Sequence, residues 1–450
     1  MEEVRYVLFD TNWPEITRFA DEVSALVIDI GASSLRAGYA GDDTPKSIIP
    51  TTYGYIPTAP DSDAPMGDGA TTEEASSSNN TVGGRKYAQI FLGQNGPSMW
   101  RPGMEIGNPL VDGLIQDFNP ISPLIKNALE DIMRVNPSEH PVLVTEPTWN
   151  TPANRERMAE IMFEEFNVPA FYIANTGVLN AFASGKGSAL VIDIGQSMAS
   201  VTPVVDGFVL RKGLAYTPLP RFIHAISRNL LVNPTANRPG IELWPHQLIA
   251  TKTPVDIGQQ PIFTVRQDRI AQTTQSWRLW AESKEVDEWI QTVAAVSDQG
   301  WNDQLMARTM PKQYEFPSGY ASNFGAERYQ VGEHLFLTNN TNPNQPKTIP
   351  ALVTESLRAC DPELRQVLMG NIVLTGGGSL FHGLAERLNA EMLRTFPHTK
   401  IHAPGNPIER RYGGWLGGSI LASLGTFHQL WISKEEWEEH GKAIVGQRCK

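Results

Sequence analysis

The seven residues Ala25-Leu26-Val27-Ile28-Asp29-Ile30-Gly31 recur unchanged as Ala189-Leu190-Val191-Ile192-Asp193-Ile194-Gly195. Each copy is too short for a globular helix and rich in Val and Ile, so it predicts a buried strand. Each strand delivers one carboxylate and then a glycine, which permits a sharp turn and a close backbone approach. A single aspartate after a strand is more often a turn cap than a ligand. Two in identical settings point to function, because core packing alone would not require the carboxylate twice. The repeat predicts a duplicated fold of two facing lobes. A crevice between them would hold two aspartates and two sets of turn N–H groups. That equipment suits a phosphorylated ligand with a divalent cation, amides cradling the phosphates and carboxylates holding the hydrated metal.

Composition narrows the setting. A chain of 450 residues allows two or three domains. The formal charge of -12 and the lack of any Lys/Arg block argue against a basic nucleic-acid-binding surface. Cys360 and Cys449 make no disulfide framework and suggest a reducing compartment. No apolar run approaches the roughly 20 residues of a membrane span. The N-terminus, with Glu2 and Glu3, does not read as a signal peptide. The nine histidines show no metal-ligand spacing, and no Ser-His-Asp or Cys-His arrangement stands out.

Along the chain, residues 1–22 carry no assigned role, although Trp13 and Phe19 could pack locally. Leu35 to Tyr39 should return beside the first strand as a hairpin arm. Arg36 would then be either a surface residue or a permanent planar cation for phosphates. From about Pro57 to Lys86 the composition shifts to Pro, Gly, Ser, Thr, Asn and Asp, which predicts a disordered loop. Ser122-Pro123 should open a helix with an apolar stripe through Leu129 and Ile132. Pro141 to Thr145 reads as a strand and Ala153 to Phe166 as an amphipathic helix. Asp206-Gly207 predicts a hairpin turn. The proline-interrupted stretch from Pro218 to Gln299, with Trp277, Trp280 and Trp289, predicts an inserted subdomain. Asn371 to Leu374 should be a strand running into Gly376-Gly377-Gly378 and then a helix. That is a context for phosphate or sugar contact, although three glycines are commonly only a turn. No Walker-type or dinucleotide-binding glycine pattern occurs. Ser419 to Leu430 predicts a small-residue helix, and Ser433 with Glu436 a capping box.

These units resemble the superfamily of actin, sugar kinases and heat-shock chaperones, and the likeness to actin covers nearly the whole chain. His140-Pro-Val-Leu-Val-Thr-Glu146, Asn154-Arg-Glu156 and Ile161-Met-Phe163 resemble its central strand and helix. Glu409-Arg-Arg-Tyr412, Trp415 to Leu424 and Gln429 to Lys434 resemble its C-terminal region. Tyr314-Glu-Phe-Pro317 and Phe324-Gly-Ala-Glu-Arg328 look more like a nuclear, actin-related branch of the family. The resemblance implies an α/β actin-like fold, a duplicated ribonuclease-H-like architecture of two lobes, a nucleotide cleft and four subdomains. The first-lobe core would take residues 1–50, 109–183 and 413–450, with 51–108 as its small subdomain. The second would take 184–219 and 345–412, with 220–344 inserted.

The same resemblance implies ATP and Mg2+. Asp29, Gly31, Ser33 and Arg36 would form the first phosphate loop, and Asp193, Gly195, Gln196 and Ser197 the second. Gly376, Gly377 and Gly378 would line the other side, with Arg411 near the adenine where actin has a lysine. Asp29 and Asp193 would hold magnesium through water. Actin's second loop carries Asp-Gly where this chain has Gln196-Ser197. Actin's water-positioning glutamine and histidine are replaced by Thr176 and Ser200. A threonine is shorter and lacks the amide's paired donor and acceptor, and phosphoryl transfer depends on such positioning. Actin's adenine-contacting Lys-Glu pair has no clear counterpart near Trp280 to Gln291. The expectation is nucleotide binding with slow or absent hydrolysis, in a structural subunit of nuclear chromatin-remodelling and histone-acetyltransferase complexes. Its implied partners are actin, a helical segment of a remodelling ATPase or scaffold subunit, and histones or the nucleosome. Neither sequence-specific DNA nor a membrane is among them. The alternatives are an ATP-dependent kinase or ATPase of the superfamily, with Asp29 as general base, and a polymerising actin.

Overall fold

Both heptads form strands, Leu26–Ile30 and Ala189–Ile194, in a computed structural model. It describes residues 24–58, 81–82, 85–235, 238–337 and 345–450. β-Branched and leucine side chains fit a pleated surface covered on both faces, and Leu26, Val27, Ile28, Leu190, Val191 and Ile192 are all buried. Each heptad sits at the centre of a six-stranded mixed sheet. The first sheet runs Ile432–Ser433, Ala170–Asn175, Val142–Glu146, Leu26–Ile30, Ser34–Tyr39, Ser47–Pro50. The second runs Phe208–Val209, Ala199–Val205, Ala189–Ile194, Ile372–Thr375, Ile401–His402, with Ala215–Thr217 also beside Ala199–Val205.

The duplication extends to register. Each heptad strand lies parallel to one neighbour and antiparallel to the strand that follows it in the chain. Asp29 stands opposite Arg36, and Asp193 opposite Ser200. The turn at Asp206-Gly207 has φ of 49° and 81°, the positive pair that two-residue hairpins require.

Each sheet has its own apolar core. Between them pack the helices Thr176–Ala183 and Gly413–Ser423. Small residues make that approach possible. A Cβ on Gly417 would lie 1.9 Å from the Leu179 carbonyl oxygen, and one on Gly418 would lie 2.9 Å from Val27 Cγ1. Trp415, fully buried, donates from Nε1 to the Val27 carbonyl at 3.1 Å and ties this helix to the first heptad.

Several boundaries differ from the sequence reading. The helix expected at Ser122 begins at Ile121, so Pro123 is its third residue. Proline is tolerated there because first-turn N–H groups have no intrahelical acceptor. This helix and the next then widen. Met133 N–H donates to Ala128 and Phe166 N–H to Ile161, each five residues back. The helix expected from Ser419 begins at Gly413 and ends at Ser423. The glycine run does not lead directly into a helix. It forms a single tight turn over Gly377–Leu380, and the helix Leu384–Thr395 starts after Gly383. The low-complexity stretch is bounded more narrowly than expected, by strands Tyr53–Pro57, Thr81–Val82 and Arg85–Phe91. Its interior and residues 1–22 lie outside the described residues. A helix missed in the sequence, Leu219–Val232, packs against Gln275–Thr292. Cys360 and Cys449 are buried free thiols. No helix among the described residues is long and apolar enough to cross a membrane.

Candidate functional site

The two heptads end in equivalent tight turns. Gly31 N–H donates to Ser34 O at 3.0 Å, and Gly195 N–H donates to Met198 O at 2.9 Å. Among the described residues, the N–H groups of Ala32, Ser33, Gln196 and Ser197 have no acceptor. Exposed turn amides of this kind form anion-binding concavities. The first turn is braced from behind. Thr51 Oγ1 donates to Gly31 O at 2.6 Å, Thr51 N–H to Ser33 O at 3.2 Å, and Asn108 Nδ2 to Ala32 O at 2.8 Å.

The two aspartates differ sharply in their partners. Asp29 is buried, accepts from Thr145 Oγ1 at 2.6 Å, and is paired with the Arg36 guanidinium. Arg36 also lies over the Tyr412 ring, 5.0 Å from its centroid. Arg36 is not the surface residue that one of the two readings allowed: register places it on Asp29. Asp193 has no such cation, since Ser200 occupies the position equivalent to Arg36. Thr375 stands beside Asp193 as Thr145 does beside Asp29, but its hydroxyl lies 3.2 Å from Asn180 Oδ1 and 3.0 Å from Arg410 O. Burial, and then the charge of Asp29, push the Asp193 carboxyl up to about 6, with Arg36 opposing. The influence of Asp29 and Arg36 on Asp193 reflects the approach of the two lobes here.

The glycine run closes onto the second turn. Gly376 has φ of 87°, and a Cβ there would lie 2.3 Å from Asp193 Oδ1 and 2.4 Å from Ile194 O. A Cβ on Gly378 would lie 2.6 Å from Ile194 Cγ2. At Gly377 only the Arg411 side chain comes near, at 3.8 Å. The structure thus brings Asp193, Gly195, the glycine run and exposed Arg411 together, and faces them with Asp29 and Arg36. Free amides, a guanidinium and an unpartnered carboxylate form a donor set that fits a phosphate chain with a hydrated cation. Thr176 is the first residue of its helix, with its methyl 3.6 Å from the Cβ position of Gly414. Ser200 is buried across the strand from Asp193.

Sequence reading missed Glu285. The helix Gln275–Thr292 buries Trp277, Ala281, Glu285 and Trp289, a row four residues apart. Glu285 is 6% exposed, and neither carboxylate oxygen has a hydrogen-bond partner. Burial and then Glu282 push it up to about 8, with Arg278 opposing and Glu288 adding least. The available signal was a carboxylate interrupting an otherwise apolar row at helical spacing.

The family model described as Actin matches residues 20–450. The chain is 37% identical to actin-related protein 4 of Emericella nidulans, over 96% of this chain and 97% of that protein. It is 37% identical to actin-related protein 4 of Yarrowia lipolytica, over 94% of each. It is 35% identical to actin-related protein 4 of Schizosaccharomyces pombe, over 96% of this chain and 98% of that protein.

Proposed function

This chain belongs to the actin family, and we propose that it is a structural subunit that clamps ATP and magnesium without appreciable hydrolysis. The observation that carries this reading is the pairing of two intact turns, with open amides, and two short hydroxyl side chains, Thr176 and Ser200, where the family positions its attacking water. The amides of Ala32, Ser33, Gln196 and Ser197 would take phosphate oxygens. Asp193 would hold the hydrated cation together with Asp29, and Arg411 would lie by the base. Bound ATP and its cation would supply charge that bridges the lobes. The residues themselves bind and orient it, and neither Thr176 nor Ser200 offers the amide or imidazole that would align a water.

The partner set follows from the family resemblance. The protein would pair with actin on a helical segment of a remodelling ATPase or scaffold subunit, with histones or the nucleosome nearby, in nuclear chromatin-remodelling and histone-acetyltransferase assemblies. The kinase reading is weakened by Asp29 itself. Its carboxylate is already engaged by Arg36 and by the Thr145 hydroxyl, so it is not free to take a substrate hydroxyl. The test is single-turnover phosphate release from ATP-loaded protein. Retention of intact ATP is expected, and release at an actin-like rate would overturn the reading.

A further inference from the structure

The lobes also touch through side chains that the clamp reading leaves unused. Trp149 follows the strand Val142–Glu146 of the first sheet, and Tyr216 lies on Ala215–Thr217 of the second. Their rings stack, with centroids 4.9 Å apart and planes 16° apart. Trp149 is held by its own lobe. Its Nε1 donates to Asp112 O at 3.0 Å, and a Cβ on Gly113 would lie 2.8 Å from its Cζ2. Asp112 and Gly113, with φ of 52° and 79°, turn the hairpin between Leu110–Val111 and Leu114–Ile115. The Asp112 carboxylate reaches the other lobe, at 2.7 Å from Arg221 of the helix Leu219–Val232. One residue before Trp149, the buried hydroxyls of Thr148 and Thr202 lie 3.3 Å apart across the same junction.

We infer that the Trp149–Tyr216 stack positions Asp29 and Asp193 for the cation they share, by fixing the separation of the strands that carry them, an inference that rests on the clamp reading above. Each ring is tied to one aspartate. In the second lobe Asp193 stands opposite Ser200, and Ser200 opposite Tyr216, in one row across three strands. Residues opposite one another share a face of the sheet, so Tyr216 is the outer end of the row that begins at Asp193. In the first lobe Trp149 comes four residues after Thr145, whose hydroxyl donates to Asp29. The hairpin under Trp149 leads to the first phosphate turn as well. Asn108 Oδ1 accepts from Leu110 N–H at 2.9 Å, while its Nδ2 donates to Ala32 O. Phosphates held by the amides of one turn make no demand on the distance between lobes. A hydrated cation held by both carboxylates does, and local structure cannot set that distance because the aspartates belong to different sheets. The packed helices Thr176–Ala183 and Gly413–Ser423 join the lobes along one line, and a contact off that line opposes rotation about it. The Asp112–Arg221 pair is half-exposed on both sides and adds little energy, so the stack carries the role.

The experiment uses the full-length chain with Tyr216→Leu and, separately, Tyr216→Phe. Tyr216 is 48% exposed, so leucine removes the stacked ring without opening a core, and phenylalanine keeps the ring. The Kd of ATP is measured by calorimetry in excess magnesium and in EDTA, and the ratio of the two reads what the cation adds. Tyr216→Leu should shrink that ratio on the order of five-fold, the worth of one aromatic pair, with the EDTA value within about two-fold of the wild type. Tyr216→Phe should match the wild type in both. An unchanged ratio in Tyr216→Leu overturns the inference, as does an equal loss with and without magnesium, which marks a merely structural contact. Spin labels at Glu130→Cys and Glu363→Cys, exposed positions on opposite lobes, read the junction without nucleotide, since both native thiols are buried. Tyr216→Leu should broaden the distribution of distances between them, and an unaltered distribution overturns the positioning role. A wild type whose ATP affinity ignores magnesium, while its label distances still broaden in Tyr216→Leu, has a stack that fixes the lobes for no cation. That result overturns the clamp reading and the inference with it.

Discussion

Replacing Glu285 with glutamine should make the protein more stable in mild alkali. The carboxyl rises from an ordinary 4.5 to about 8, worth about 5 kcal/mol at 1.36 kcal/mol per pH unit. Below pH 4.5 the folded and unfolded chains both hold the proton. Between 4.5 and about 8 only the folded chain holds it, so stability falls as pH rises, by about 1.4 kcal/mol per unit. Above about 8 the whole contribution has been lost. The cause is geometric: a 6% exposed side chain without a hydrogen-bond donor, next to Glu282 and Glu288. Arg278, the nearby cation, is committed to Glu282 at 2.6 Å. Glutamine is neutral throughout and leaves a similarly unpartnered polar tip, so Glu285→Gln should match the wild type near pH 5. By pH 8 it should exceed it by about 2–4 kcal/mol, the full linkage being discounted for relaxation around the charge. Urea unfolding at pH 5, 6, 7, 8 and 9 measures the difference directly. Parallel pH profiles for the two proteins would refute the reasoning.

Gly376→Ala should cost about 2–4 kcal/mol in urea unfolding, since its backbone conformation is one that only glycine adopts readily and its Cβ would meet Asp193 and Ile194. Gly377→Ala, with nothing nearer than 3.8 Å, should stay within about 0.5 kcal/mol. Arg387, 2% exposed and hydrogen-bonded to both Glu333 oxygens at 2.8 and 3.2 Å, should cost about 3–5 kcal/mol as Arg387→Ala, because Glu333 is left buried and unpaired. Arg387→Met combined with Glu333→Leu should recover most of that loss on the same assay. Asp193→Ala should reduce the rise in melting temperature that magnesium-ATP produces, by about 1–3 kcal/mol of linked binding energy. An equal drop with and without nucleotide would make Asp193 a structural cap only.

Features dictated over a few residues were legible without coordinates. The capping box is present, Ser433 Oγ accepting from Glu436 N–H and Glu436 accepting from Ser433 N–H. The Asp206-Gly207 turn and the burial of Leu124, Ile125, Ala128 and Leu129 also follow from local chemistry, although Ile132 at the end of the expected stripe is exposed. The helix Gly413–Ser423 resisted reading because glycine disfavours helices by about 1 kcal/mol per residue relative to alanine. Its four glycines are helical because two of them let it press against Leu179 and Val27, a contact with residues more than two hundred positions away. Glu285 was overlooked because Glu282, Asp287 and Glu288 stand around it, so the apolar row at helical spacing that marks its burial is easily passed over.

What the amino-acid order determined unaided was the twin strand–aspartate–glycine unit, since a short β-branched run with a polar end folds one way wherever it can be buried. What only the tertiary structure decided was how unlike the two copies become. The same register puts Arg36 against one aspartate and Ser200 against the other, so one carboxylate has a cation across its strand and its twin has none. The hydrogen bonds from Trp100 Nε1 to Thr273 and from Trp277 Nε1 to the Pro97 carbonyl belong to the same class. Hydrogen bonds between residues so far apart in sequence have no local signature, because they depend on where two lobes come to rest.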